Sequence, residues 1–126
     1  MPPLPRVIIL GAYGMLGDDI YQTLSPDFKV IRYASNEIDI TNKPAVLGLV
    51  DDNPDWIINC AAYTAVDKAE EEREKAFQIN GYALENIALA GKRSGARVIH
   101  FSTDYVFDGT KEEGYIEVDR KNPINT

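Results

Sequence analysis

An α/β fold with a doubly wound parallel sheet is the class this chain predicts, and three observations lead to it. Short apolar runs alternate with segments of helical periodicity along the 126 residues, the pattern of successive strand–helix–strand units. The runs lack strict polar–apolar alternation, which is what strands covered on both faces require. The first run, Val7-Ile8-Ile9-Leu10, leads straight into Gly11-Ala12-Tyr13-Gly14-Met15-Leu16-Gly17, a glycine-punctuated turn that opens a helix.

The elements read in order as strand Arg6 to Leu10, helix Met15 to Leu24, strand Phe28 to Tyr33, helix Pro44 to Asp52, strand Asp55 to Cys60, a largely helical stretch Val66 to Ser94, and strand Arg97 to Phe101. Glu37-Ile38-Asp39-Ile40 has strand character, but a parallel crossover needs about a dozen residues and only three separate it from Tyr33. It reads as an extended connector. Thr41 and Asn42 before Pro44 offer an N-cap and a proline in the first turn, so the second helix starts there. From Ala76 through Phe77, Ala83, Leu84, Ile87 and Ala88, spacings of three and four mark a buried stripe. Asn80 falls on that stripe, and an unpaired buried amide costs roughly 1–3 kcal/mol. Its amide must therefore tie a neighbouring loop to the helix or meet something bound nearby.

Bulk composition narrows the function classes. With 44% hydrophobic and 26% charged residues, one globular core is expected, in a single domain over residues 6–126 preceded by a loose leader over 1–5. A net charge of −7 argues against a nucleic-acid partner, which would demand clustered Lys and Arg. The acidic run Glu70-Glu71-Glu72-Arg73-Glu74-Lys75 is a solvated helix face. The single cysteine, Cys60, closes an apolar run, so no disulfide framework forms and a buried thiol in a reducing cytoplasm is expected. No run approaches membrane-spanning length, and no export signal is expected.

The glycine turn has a mechanical rationale. Gly11 permits a tight exit from the strand, Gly14 lets backbone approach a pyrophosphate, and Gly17 allows the helix to pack closely. The helix N-terminus, at Met15 and Leu16, then faces the anion. The second strand ends in Arg32-Tyr33 without an acid to hold a ribose 2′-hydroxyl. Arg32 is therefore either a partner for a 2′-phosphate or a solvent-facing side chain. The first alternative leans the reading toward NADPH, with NADH also admitted. After the third strand, Asn59-Cys60-Ala61-Ala62-Tyr63-Thr64 puts small residues at the crevice outside the strand ends, where a nucleotide passes and bulk would block it. Asp104 and Asp108 are four residues apart and suit either a cation or sugar contact or local turn bonds. His100 has no metal-ligand neighbours in sequence, so no metal site is expected.

The Gly-x-x-Gly-x-x-Gly spacing resembles the extended short-chain dehydrogenase/reductases. Within them, the run Pro54 to Glu70 and Ser102-Thr103-Asp104-Tyr105-Val106-Phe107-Asp108-Gly109 resemble the dTDP-4-dehydrorhamnose reductase family, from Arg6 onward. That resemblance implies a Rossmann-type domain in which NADPH or NADH reduces the 4-keto group of a dTDP-sugar. It implies Thr103 as the catalytic hydroxyl that hydrogen-bonds the carbonyl, and Thr64, Asp104 and Tyr105 at the substrate. Tyr13, Asp39, Ile40, Tyr63, Asn80 and Ser102 join the glycine turn, Arg32 and Cys60 to Ala62 at the cofactor. A homodimer of the full-length enzyme is the implied assembly.

The family's proton donor, a Tyr-x-x-x-Lys pair, does not occur: Tyr63, Tyr105 and Tyr115 are followed four residues on by Asp67, Gly109 and Asp119. The expectation is a cofactor-binding portion whose catalytic pair and substrate domain lie elsewhere, inactive alone, with the last strand as an unpaired edge. The rival readings are a sugar-nucleotide epimerase or dehydratase on the same scaffold, and a catalytically silent cofactor-binding regulatory subunit.

Overall fold

The central apolar runs become strands buried from both faces by helices, while the outer two are only partly covered or exposed. A computed structural model describes all residues from Met1 to Thr126. Its four strands are β1 (Arg6–Leu10), β2 (Lys29–Tyr33), β3 (Trp56–Asn59) and β4 (Arg97–His100). They pair in the order β2-β1-β3-β4, every pair parallel. The helices are α1 (Met15–Leu24), α2 (Lys43–Leu47), α3 (Val66–Ala69), α4 (Arg73–Phe77) and α5 (Ala83–Ser94).

Alternate residues of β1 enter two separate cores. Ile8 and Leu10 join Ile57 under Val46, Leu49, Ile87 and Ala90, on the face carrying α2 and α5. Val7 and Ile9 join Ile58 on the opposite face, where Ile20, Tyr21 and Leu24 of α1 pack. This double cover is why the interior of the central strands, Val7 to Leu10 and Ile57 to Ile58, is wholly apolar. Each fully buried aliphatic side chain contributes about 1.5–3 kcal/mol. Asn59 is the polar exception, 1% exposed at the end of β3.

Several expected boundaries shift. Each of the last three strands is shorter than its apolar run: Phe28, Asp55, Cys60 and Phe101 lie outside the ladders. The second helix starts as expected, with Asn42 Oδ1 accepting from the Ala45 N–H, but α2 tightens after Leu47 into a 3₁₀ turn over Gly48–Asp52. Glu37 to Ile40 forms no strand, as the connector reading required. The long helical stretch is broken twice, between α3 and α4, and again by a π turn over Gln78–Tyr82 that leads into α5. There the Ala83 N–H reaches back five residues to the Gln78 carbonyl. This wider turn breaks the 3.6-residue phase, so the single stripe does not hold. Phe77, Asn80 and Ala88 are exposed, while Ala83, Ile87 and Ala90 line the core.

Cys60 is half-buried rather than buried, and desolvation pushes its thiol pKa up. The edge strand β4 is short but not covered, and Val98, Ile99 and Phe101 remain exposed. Beyond it a 3₁₀ turn over Asp104–Val106 leads into a segment without further helix or strand, organised around Asp108. Asp108 Oδ1 accepts from the Thr110 N–H, the Thr110 hydroxyl and the Tyr115 hydroxyl, and Oδ2 accepts from Asn122. These donors hold its carboxyl far below the usual carboxylate range. The turn-bond alternative is therefore the one realised at Asp108.

Candidate functional site

Parallel strands put all their carboxyl ends on one edge of the sheet, so the turn after β1 and the loops after β3 and β4 share it. The chain leaves β1 toward β2 and later returns to β3 on the other side, which makes the β1/β3 boundary the switch point where such sheets open a crevice. Gly11 and the loop after β3 meet there. Gly11 has φ +65°, and a Cβ on it would lie 2.6 Å from the Ala61 nitrogen. A Cβ on Gly17 would lie 2.5 Å from the Gly11 carbonyl oxygen and 2.8 Å from Ala12 Cα. Both glycines are thus demanded by backbone packing. Gly14 differs: a Cβ there would meet only the Gly11 carbonyl oxygen, at 3.5 Å, so its open side faces free space.

Gly14 is also the N-cap of α1, with extended backbone and no side-chain cap. The first N–H groups of a helix have no intrahelical acceptor, and here no side chain takes them. With the helix dipole they form an anion-binding end. Met15, Leu16 and Tyr13 are all exposed around it.

Arg32 is neither solvent-facing nor free. Its guanidinium lies between two rings, 4.1 Å from the Tyr13 centroid and 3.9 Å from that of Tyr21. Its Nη2 donates to Asp18 Oδ1 at 2.8 Å and to the Ala12 carbonyl at 3.1 Å. The solvent-facing alternative is therefore excluded. Asp39 stays local, with Oδ1 accepting from the Thr41 N–H and hydroxyl. Ile40 buries its side chain in the α2/α5 core, and its carbonyl accepts from Asn86 Nδ2. Any contact from Ile40 to a ligand has to come from its backbone.

Behind the crevice, Asn59 sets the loop. Its Oδ1 accepts the Ala61 N–H at 3.1 Å, and its Nδ2 stands 3.1 Å from His100 Nδ1. Since Oδ1 is occupied by a donor, Nδ2 donates to His100, whose Nδ1 must be unprotonated. Partial burial also pushes the His100 pKa down. The loops after β3 and β4 are thereby joined at their roots. Ala62 and Thr64 are exposed. Tyr63 is held by Asn80, which donates from Nδ2 to the Tyr63 carbonyl and accepts the Tyr63 N–H on Oδ1. This is the loop-tying alternative. The Tyr63 hydroxyl donates to Glu72 Oε2, and that bond pushes the phenol up to about 12.

Ser102 to Tyr105 are exposed together. Thr103 caps the 3₁₀ turn, its Oγ1 accepting from the Tyr105 N–H at 3.2 Å and donating to Asp104 Oδ1 at 3.2 Å. Asp104 and Tyr105 border an open cleft of about 680 Å³ with Val66, Phe107, Tyr115 and Ile124. No group of three or more His, Cys, Asp or Glu side chains is arranged to hold a metal ion. Sequence reasoning missed Asn59, Asp18 and Glu72. Only Asn59 carried a signal, as a polar residue inside a strand otherwise apolar.

A parallel sheet with a glycine turn and an uncapped helix start at its switch point defines a Rossmann-type nucleotide-binding fold. The chain belongs to the family described as the RmlD substrate binding domain, whose model matches residues 5–126. It is 40% identical over 121 residues to a dTDP-4-dehydrorhamnose reductase of Burkholderia thailandensis, covering 95% of this chain and 41% of that protein. It is 37% identical to a dTDP-4-keto-6-deoxy-D-glucose reductase of Streptomyces niveus, covering 95% of this chain and 42% of that one. A crystal structure of the Bacillus anthracis dTDP-4-dehydrorhamnose reductase in complex with NADP superimposes with a TM-score of 0.95 at 42% identity, over 99% of this chain and 45% of that one. A UDP-glucose 4-epimerase from Brucella ovis, at 19% identity and TM-score 0.87, shares the fold. The chain spans about two fifths of the length of the curated relatives it matches.

Proposed function

We propose that this chain supplies the NADP(H)-binding portion of a dTDP-4-dehydrorhamnose reductase, a cytoplasmic enzyme that reduces the 4-keto group of a dTDP-sugar and works as a homodimer. The observation that carries the reading is the close backbone packing at the switch point between β1 and β3. The Gly11 turn touches the Ala61 backbone, and Asn59 ties that loop to His100, three residues before Thr103. The glycine cradle fits a dinucleotide, because Gly14 leaves open space before uncapped helix N–H groups. Gly11, Gly14, Met15, Leu16 and Gly17 would hold its diphosphate, and Ala61 and Ala62 would flank it. A bound nicotinamide supplies the hydride that turns the ketone into a secondary alcohol.

The chain's own contribution to the chemistry is the hydroxyl of Thr103. Its single proton now goes to Asp104, so polarising a ketone requires that proton to rotate from the carboxylate to the carbonyl oxygen. Asp104 and Tyr105 would position the sugar beside it. No tyrosine of this chain has a lysine four residues on, so final proton delivery is assigned to none of its residues. The α1 anion site is tested by calorimetric titration with NADP⁺. Micromolar binding that Gly14→Asp abolishes, with Tm unchanged, is expected; no binding by the parent protein refutes the reading. Conversion of dTDP-4-dehydro-L-rhamnose to the alcohol by the whole enzyme, lost in Thr103→Val, tests the chemistry.

A further inference from the structure

We infer that Asp18 is a specificity-determining residue: by pairing with Arg32 inside the Tyr13/Tyr21 sandwich, it weakens the preference of this site for a 2′-phosphorylated nucleotide. The inference rests on the nucleotide-binding reading above and deepens it. Arg32 lies at the carboxyl end of β2, 21 residues after Gly11, where such folds distinguish a ribose 2′-hydroxyl from a 2′-phosphate. A free guanidinium there would reward the phosphate with a charge-assisted bidentate contact. This one is not free. Both its faces are covered by tyrosine rings, and Nη2 is shared between Asp18 and the Ala12 carbonyl. Its Nε is buried without an acceptor and Nη2 is already shared, so only Nη1 is left for a phosphate, and a bidentate contact requires breaking the Asp18 pair.

Asp18 adds a charge argument to this geometric one. Its carboxylate is half-exposed while the Arg32 side chain is 18% exposed, so the negative charge stands on the accessible side of the pair. A dianionic 2′-phosphate reaching Arg32 meets that carboxylate, whereas a neutral 2′-hydroxyl can donate to it. The aromatic sandwich keeps the guanidinium from swinging away toward a phosphate. Asp18 thus acts through Arg32, and the ratio of affinities for the two nucleotides reads it directly.

The test compares dissociation constants of the purified protein for NADP⁺ and NAD⁺, and for the smaller probes 2′,5′-ADP and 5′-AMP. Asp18→Asn and Asp18→Ser should each raise the preference for the 2′-phosphorylated member roughly three- to tenfold, the range of a partly exposed charge pair. Asp18→Glu should restore the parent ratio, and Arg32→Gln should erase the gain when added to Asp18→Asn. A merely structural role would weaken both nucleotides equally and leave the ratio unmoved, which overturns the inference while sparing the site itself. Variants that bind neither nucleotide, where the parent binds both, overturn it too. Failure of the parent protein to bind any of the four removes the nucleotide site and this inference with it.

Discussion

The side chain of Asn80 does for Tyr63 what a neighbouring strand would do: it takes the Tyr63 N–H at 2.8 Å and gives a proton to the Tyr63 carbonyl at 3.0 Å. One amide satisfies both backbone groups of a loop residue 17 positions away. Asn80→Asp keeps the acceptor and loses the donor; Asn80→Ala loses both. Because the site is exposed, water replaces the lost bonds, and global stability should fall by only about 1 kcal/mol. Loop order should change far more. Amide exchange at Tyr63 should accelerate in Asn80→Ala by an order of magnitude or more, with Asn80→Asp between it and the parent.

The three glycines of the first turn separate by mechanism. Gly17→Ala forces a Cβ to 2.5 Å from a carbonyl oxygen, and Gly11→Ala combines a 2.6 Å clash with a left-handed φ. Each should cost about 1–3 kcal/mol or more by overpacking and backbone strain. Gly14→Ala meets one atom at 3.5 Å and should change stability by less than about 1 kcal/mol while weakening NADP⁺ binding. Denaturant midpoints and calorimetric titration on the same three variants check the separation.

His100 makes stability depend on pH with a definite sign. Its folded pKa lies below the ordinary imidazole value of 6.5, and its Nδ1 accepts from Asn59. The unfolded chain therefore takes up the proton first as pH falls. The contribution is fully present above about 6.5 and is lost as pH drops through the lower folded value. The Tm difference between the parent and His100→Gln should shrink or reverse between pH 7.5 and 5.

Tyrosine titration reports the hydroxyl bonds. The Asp52 carboxylate, accepting from the Tyr33 hydroxyl at 2.6 Å, pushes that phenol up to about 12, as Glu72 does for Tyr63. Raised values stabilise the fold below the unfolded pKa near 10, an advantage lost as pH climbs through 12. In Glu72→Gln one tyrosine should move back toward the ordinary value in an ultraviolet titration. Asp52→Asn should release the other.

Asp108 collects four donors from Thr110, Tyr115 and Asn122. Asp108→Ala strands these groups and unties the stacked Phe107 and Tyr115 rings, 4.3 Å apart. Protease sensitivity between Gly109 and Asn122 should rise sharply, with the sheet core unaffected. Its depressed pKa means the knot persists below the usual carboxylate range and loosens only in strong acid.

Much of this was legible because it rests on periodicity and local sterics. The β1 run, the glycine turn and the Asn42 cap each follow from a few adjacent residues, and the structure keeps them. What stayed hidden depends on partners far along the chain. Asp18 sits on an exposed helix face in sequence, and only the fold brings it to Arg32. Glu72 looked like one of several solvated acids until the loop after β3 placed Tyr63 above it. The stripe through Phe77 and Ala88 failed because a helix with a widened turn does not keep a single period. Such a turn leaves no mark in composition.

That widened turn fixes how many residues the connection between α4 and α5 can contain. Removing one residue from Gln78–Tyr82 would heal the helix and rotate everything on one side of the repair by about 100° relative to the other. Either Ala83, Ile87 and Ala90 would lose their seats against the sheet, or Asn80 would point away from the Tyr63 loop it now pairs with. The helix is counted to a single residue, so a one-residue deletion here should unseat the core or the loop, whereas single substitutions in the exposed turn, Asn80 apart, leave both in place.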